Sequence, residues 1–517
     1  MIDDVSAADL AARLTDVVCD VDAAAADLVR EFEQMLCAST LSGPSGEDAR
    51  QLDALVERGI AHGSAGRYDA AARSFCAALR RCVRIGYLRG AADSVRNIGK
   101  IQLTTGRYRQ AECAYVLAWE LYRRTSWAAA GADCSHGLGV AYAGMGRYSL
   151  AEAAFEAARA AFDQLGRRQH AANSMQGLGN VFEATGRYAL AEQAHRSARA
   201  VFAELGSVAG VAECDLNLGV VYESMTRYRA AELAYRRARS EFATLDRAEA
   251  VAECDQNLGI VYEIAQRYDM AGLAHRRARR VFVELGLSER AADCALNLGV
   301  VHRSSTDYRR AERDFAHARA VYVELELPEK VAWCDINRGL SAALAARSSA
   351  PGSPEWREGL RAGLSLVVPA VLFLDAGRFQ FARAQARQAW ARVLGIRWSA
   401  LFEWAAELGD CELVADLVEA AINSGVHVGI TGHERIHAES EFARIGSAEL
   451  PIAMPLDEHT AAHSSGGHRL VAGAILPMIA PPRLLMPDGH LALDRYADRV
   501  EALYGRIDRL SAPVAVW

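Results

Sequence analysis

Two sets of polar side chains in this chain stand at spacings that do chemistry. The first is His433, Glu434 and His437, an H-E-x-x-H match inside GHERIH. On a helix the two imidazoles lie one turn apart and hold zinc, with the glutamate as general base. The surroundings argue otherwise. Gly432 leaves little helix upstream, Arg435 sets a cation beside the metal position, and no third ligand is fixed among Glu441, His459 and His463. The sequence also lacks a phosphate loop G-x-x-x-x-G-K-[ST], a nucleophile elbow G-x-S-x-G, and a G-x-G-x-x-G after a strand. The expectation is a chain with no catalytic residue, no metal and no cofactor; a zinc metallohydrolase is the alternative.

The second set is an asparagine that returns in an otherwise apolar run. Asn97, Asn217, Asn257, Asn297 and Asn337 share one position of a forty-residue period. Gly137 and Gly177 stand there in two copies, with Asn173 and Asn180 nearby. An amide both donates and accepts, so a ladder of amides can hold the N–H and C=O of an extended peptide whatever its side chains. Acidic rows flank the amides: Asp93, Asp133, Asn173, Glu213, Glu253 and Asp293 in one, Glu183, Glu223 and Glu263 in the other. The second row turns basic at Arg303. The competing reading is architectural. The amides would then bond the neighbouring helix, and the acids would pair with arginines of YRRARS (235–240) and HRRARR (275–280).

These residues need elements to position them, and the period supplies those. Tyrosine recurs at 68, 108, 148, 188, 228, 268 and 308, and glycine at 59, 99, 139, 179, 219, 259, 299 and 339. A strict period without insertions means one supersecondary unit stacked on its neighbours. Leu216, Leu218, Val221, Tyr222 and Met225 recur at helical offsets, Thr226–Arg227 breaks the helix, and Ala231, Tyr235, Ala238 and Phe242 mark a second one. With Leu218, Val221 and Tyr222 turned inward, residues 213, 217, 220 and 223–224 share another stripe.

The order Leu218-Gly219, Tyr222, Ala231, Tyr235, Ala238 resembles the tetratricopeptide-repeat (TPR) signature. The early Trp of that signature is replaced by Asp215, its terminal Pro is missing, and the unit is forty residues against the usual thirty-four or so. The longer unit with N-L-G is similar to spindle-orientation scaffolds of the LGN/Pins type. The resemblance implies an all-α fold, a right-handed solenoid of helix–turn–helix repeats. It also implies that the asparagine stripe lines a concave groove that holds long peptides. Acids on first helices and arginines on second helices would make that groove negative and its partner rich in Arg or Lys. The TPR clamp for C-terminal carboxylates is not expected, since only Asn97 and Lys100 match part of it and acids stand beside them.

Composition narrows the function further. The chain is 51% hydrophobic and 24% charged with a net charge of −7, which fits a folded protein and not a nucleic-acid binder. Only Lys100 and Lys330 among 58 basic residues are lysines, so arginine density by itself says little. Eleven cysteines form no C-x-x-C pair, and Cys134, Cys214, Cys254, Cys294 and Cys334 share one repeat position. Equivalent positions on stacked helices lie about 8–10 Å apart, too far for disulfides, so these read as small buried apolar residues in a reducing compartment. The acidic start MIDDVSAADL is no signal peptide, and LSLVVPAVLFL (364–374), broken by Pro369, is shorter than a membrane span; a cytoplasmic protein is expected.

The domain plan is a capping or coiled-coil helix and loop over 1–45 and a TPR array over 46–347, comprising seven repeats and an eighth first helix. A helical region over 355–424 and an irregular Pro/His-containing tail over 425–517 that ends in a helix complete it. Residues 6–36 read as one helix whose apolar stripe caps the first repeat; used as a coiled-coil seam it would allow self-association. VPAVLFLDAGRFQF and LVADLVEAAINSGVH resemble the segment that precedes CHAT protease-like domains in bacterial TPR proteins, which would make the chain a regulatory partner of such an effector. The arginine-bearing IAPPRLLMPDG (479–489) reads as extended chain that could lie on the acidic rows.

Overall fold

The computed structural model describes residues 6–18, 25–37, 43–124, 127–377, 384–424, 483–505 and 513–515. It divides into two compact units, Met1–Glu241 and Phe242–Trp517. The first holds α1 (Ala7–Val18) and α2 (Ala25–Cys37), then the helical hairpins α3 (Gly46–Ser64) with α4 (Tyr68–Arg84), α5 (Leu88–Thr104) with α6 (Tyr108–Arg124), α7 (Ala128–Gly144) with α8 (Tyr148–Gln164), and α9 (Arg168–Ala184) with α10 (Tyr188–Glu204). α11 (Val208–Ser224) follows and leads into α12 (Tyr228–Thr244). The second unit continues with α13 (Ala248–Ile264), α14 (Tyr268–Glu284), α15 (Ser288–Ser304), α16 (Tyr308–Glu324), α17 (Pro328–Ala346), α18 (Pro354–Gly377), α19 (Ala384–Leu408) and α20 (Cys411–Ser424). A short parallel ladder joins β1 (Arg483–Leu485) to β2 (Pro513–Ala515), with α21 (Asp494–Tyr504) between them. Consecutive paired helices make this an α-solenoid of TPR type.

The forty-residue text repeat conceals a twenty-residue backbone repeat. Most helices have seventeen residues and end in the same three-residue turn. At the end of α11, Arg227 N–H donates to Tyr222 O at 2.7 Å and Thr226 N–H to Glu223 O at 2.8 Å, a Schellman closure of the orphan carbonyls. The middle turn residue must be left-handed. Glycine serves at Gly66, Gly106, Gly186 and Gly206, but Thr226 (φ 57°), Gln266 (57°) and Thr306 (63°) hold the same conformation with side chains. A left-handed non-glycine costs about 1–2 kcal/mol, part of which glycine returns as unfolded-chain entropy. Thr226→Gly and Thr306→Gly are therefore each expected to stabilise by about 0.5–1 kcal/mol, and Gly186→Ala to destabilise by a similar amount. Urea unfolding midpoints check both signs, since Thr226 is exposed and carries no packing of its own.

Each hairpin closes on the recurring glycine. A Cβ at Gly139 would come within 2.7 Å of the Phe155 ring, and one at Gly299 within 2.5 Å of Phe315, so only glycine lets these aromatics lie against the facing helix. The row opposite the glycines reads Phe75, Tyr115, Phe155, His195, Tyr235, His275 and Phe315, all buried. The five equivalent cysteines are buried free thiols, and burial pushes those of Cys214 and Cys294 up to about 12.

Three expectations about the ends change. Residues 6–36 are not one helix: α1 and α2 pack against each other, which a continuous helix cannot do. Leu10, Leu14, Val17, Val18, Leu28, Phe32 and Met35 join the first unit's core with Phe75 and Leu121, and the Gln102 side chain donates to Val17 O at 3.0 Å. Among the described residues, that stripe is spent on capping. Nor does the eighth first helix stand alone. α18 packs antiparallel on α17 through Gly339, Gly359 and Gly363, and it runs unbroken past Pro369, with residues 367–371 all buried. α18 is long and apolar enough to cross a membrane by length and composition, yet 56% of that window is buried within the protein.

The described part of the tail packs within its own unit: β1 pairs with β2, and α21 lies against α17 and α18. Leu493, Val500 and Tyr504 are buried in the core formed by α16–α20. Tyr504 stacks on Phe373 at 5.0 Å between ring centroids and donates its hydroxyl to Asp335 at 2.9 Å.

Candidate functional site

The asparagine row sits on the first helices α5, α11, α13, α15 and α17, each two residues before the recurring glycine, with a buried Ile98, Leu218, Leu258 or Leu298 between them in the first four. Asn97 and Asn217 in the first unit, and Asn257 and Asn297 in the second, are half-exposed. Among the described residues their side-chain amides have no hydrogen-bond partner. Asn180 is exposed and likewise unbonded. Asn337 differs: its Nδ2 donates to Trp333 O at 3.0 Å, and its Oδ1 accepts from Arg303 Nη1 at 2.7 Å. That amide is turned into the stack, because the acidic row has become a buried arginine at this level.

The first acidic row is largely paired, though not by the second helices. Arg96 lies 3.5 Å from Asp93 and 3.3 Å from Asp133, Arg290 lies 3.6 Å from Glu253, and Lys330 Nζ lies 2.7 Å from Asp293. All four pairs join first helices to one another or lie within one. Tyr122 and Tyr322 add hydroxyl donors to Asp93 and Asp293, each at 2.6 Å. Glu213 alone in this row is half-exposed without an ion pair.

The second row is half-buried, and this changes its charge. Burial raises the Glu183 carboxyl above the usual range. Burial pushes Glu223 up to about 7 against a hydrogen bond from Tyr235, and Glu263 up to about 7 against the attraction of Arg303. Near neutral pH Glu223 and Glu263 carry only part of their formal charge, so this row is less negative than its letters suggest. A cation docking beside them would release protons on binding.

The arginine-rich second helices serve a row that sequence reasoning passed over. Asp215, standing where the TPR signature has Trp, is buried and pairs with Arg199 Nε at 2.9 Å and Arg237 Nη2 at 3.1 Å. Asp255 pairs with Arg277 at 2.8 Å, and Asp335 with Arg319 at 2.8 Å and Arg338 at 3.2 Å. The turn arginine of G-R-Y has a matching role: Arg187 reaches Glu152 at 2.7 Å and Arg227 reaches Glu192 at 2.9 Å, each in the preceding hairpin. The signal was present as a forty-residue recurrence of Asp, Arg and Glu. His433, Glu434 and His437 lie outside the described residues.

Paired helices with unpartnered amides on their first members make up an α-solenoid fold of TPR type. The tetratricopeptide-repeat family model matches residues 132–204. A search of the curated proteins finds no match to the sequence. Among solved structures, BtubC (BKLC) from P. vanneervenii is 21% identical, with 46% of this chain and 92% of that chain covered and a TM-score of 0.37. A Rap protein complexed with Competence and Sporulation Factor is 12% identical over 78% and 99% of the two chains, with a TM-score of 0.46. The apo quorum sensor NprR from B. thuringiensis is 12% identical over 69% and 98%, with a TM-score of 0.45.

Proposed function

We propose that the array is a non-enzymatic scaffold that grips an extended peptide segment of a partner protein on the first-helix face, in the cytoplasm. The observation that carries this reading is the set of half-exposed amides at Asn97, Asn217, Asn257 and Asn297 with no partner of their own. A purely architectural asparagine is expected to bond neighbouring backbone, as Asn337 does. The flanking Glu213 and the partly ionised Glu223 and Glu263 favour a partner segment bearing Arg or Lys. Asp133, Glu253 and Asp293 contribute less, being already paired.

The test is affinity selection from a synthetic random dodecapeptide pool, followed by titration of the enriched peptides. The variant with Asn217, Asn257 and Asn297 all changed to Ala is expected to lose about 3 kcal/mol, or roughly a hundredfold in Kd, at about 1 kcal/mol per amide. Its helicity should match the parent. Equal affinity of both proteins for every enriched peptide would leave the amides without a ligand role.

A further inference from the structure

The C-terminal unit carries a second constellation, formed by residues outside the amide row. Glu412 and Asp416 stand one turn apart on α20, and the loop after β1 brings His490 to them. The three side chains each present one donor atom, all within 4.8 Å of one another. His490 Nε2 lies 2.9 Å from Asp416 Oδ1. Asp416 is buried, and its other oxygen accepts the Leu493 N–H at 2.9 Å, so the carboxylate is fixed. The loop is fixed too: Met486 N–H donates to His490 O at 2.8 Å, and Gly489 turns the chain at φ 91°.

We propose that Glu412, Asp416 and His490 bind a divalent transition ion of the zinc type, which latches the C-terminal segment onto α20. Three features support it. Donors of one tetrahedral zinc, with bonds of about 2.0–2.1 Å, stand about 3.3 Å apart, so exchanging the shared proton of the His490–Asp416 contact for an ion needs only a small outward shift. The far nitrogen, Nδ1, faces Asp488 Oδ1 at 2.5 Å. That is the carboxylate–histidine arrangement which orients an imidazole and leaves Nε2 for a metal. The charge count also calls for a cation. Three carboxylates (Glu412, Asp416 and Asp488) surround one imidazole, Glu412 has no ion-pair partner among the described residues, and the neighbouring Arg495 is taken by Asp410 at 3.3 Å. Glu412 is exposed, so water can complete the coordination. Mixed imidazole and carboxylate donors suit zinc and its neighbours above magnesium or calcium. The ion would join segments 74 residues apart in sequence, a structural task with no chemistry at the metal.

The test is calorimetric titration of the full, chelator-treated chain with ZnCl₂, with CoCl₂ absorption as a coordination readout. Wild type is expected to bind one ion at this site, with a rise in Tm and a four-coordinate cobalt spectrum, while MgCl₂ gives neither. Glu412→Gln, at an exposed position that should not disturb folding, is expected to weaken binding tenfold or more. Asp488→Asn should weaken it about tenfold through imidazole orientation, and His490→Ala should abolish it. His433→Ala should change nothing. The proposal is overturned if wild type binds no zinc, leaving His490 as a plain ion pair to Asp416. Binding that survives both Glu412→Gln and His490→Ala, or that disappears with His433→Ala, overturns it equally.

Discussion

Asp335→Ala is expected to destabilise the C-terminal unit by about 2–3 kcal/mol, toward the cost of breaking a buried ion pair but reduced because the arginines it pairs with are partly exposed. Asp335 is fully buried and serves three donors at once: Arg319 of α16, Arg338 of its own helix, and the Tyr504 hydroxyl of α21. Arg338 keeps Glu312 at 2.6 Å after the substitution, but Arg319 and Tyr504 lose the only partner they share. Because repeat arrays transmit stability between neighbours, the loss should appear first as local opening. Hydrogen exchange should speed up in α17 and α21 while α5–α9 stay protected. A variant with unchanged exchange in α21 would show that the Tyr504 contact does not hold that helix down.

His275→Phe is expected to act in the opposite direction. His275 is fully buried against Gly259, and neither ring nitrogen has a partner. Phe75, Phe155 and Phe315 fill the same place in other hairpins against the same glycine, so the larger ring fits. Removing two unsatisfied nitrogens should stabilise by about 2 kcal/mol at neutral pH. The pH dependence has a definite sign. Burial pushes the His275 imidazole down to about 3, so the folded chain refuses a proton that the unfolded chain accepts near 6.5. Stability is therefore full above pH 6.5 and falls as pH drops toward 3, by up to about 1.4 kcal/mol per unit. His195, pushed down to about 4 by burial, adds a smaller slope of the same sign. Melting curves at pH 7.5 and 5 check both parts: the gain from Phe should be larger at pH 5. A gain that shrinks on acidification would contradict the assignment of a neutral, unpartnered imidazole.

Much of this was legible in the letters. Tyr68 through Tyr308 and Gly59 through Gly339 marked hairpin after hairpin in register, because a unit that contacts only its neighbours repeats its packing residues. The amide row followed from helix geometry alone. What escaped notice depended on contacts between elements. Asp215 and Glu213 look alike in sequence, yet one is buried between two arginines and the other half-exposed, a difference set by about 200° around a helix. Asn337 reads like Asn297, but Arg303 claims its oxygen. The apolar stripe of residues 6–36 reads alike for one helix or two, since 3.6-residue periodicity does not record a fold-back. The closing of α17 by α18 was hidden by a longer loop and a twenty-four-residue helix that abandon the period.

The central claim is that the asparagine amides hold the partner's main chain, and a thermodynamic cycle measures this directly. Titrate one selected peptide, and its counterpart N-methylated at alternate backbone nitrogens, into the parent and into the variant lacking Asn217, Asn257 and Asn297. The account predicts that N-methylation weakens binding to the parent strongly and to the variant hardly at all. If methylation costs both proteins the same, the amides do not touch the peptide backbone and the scaffold reading loses its grip.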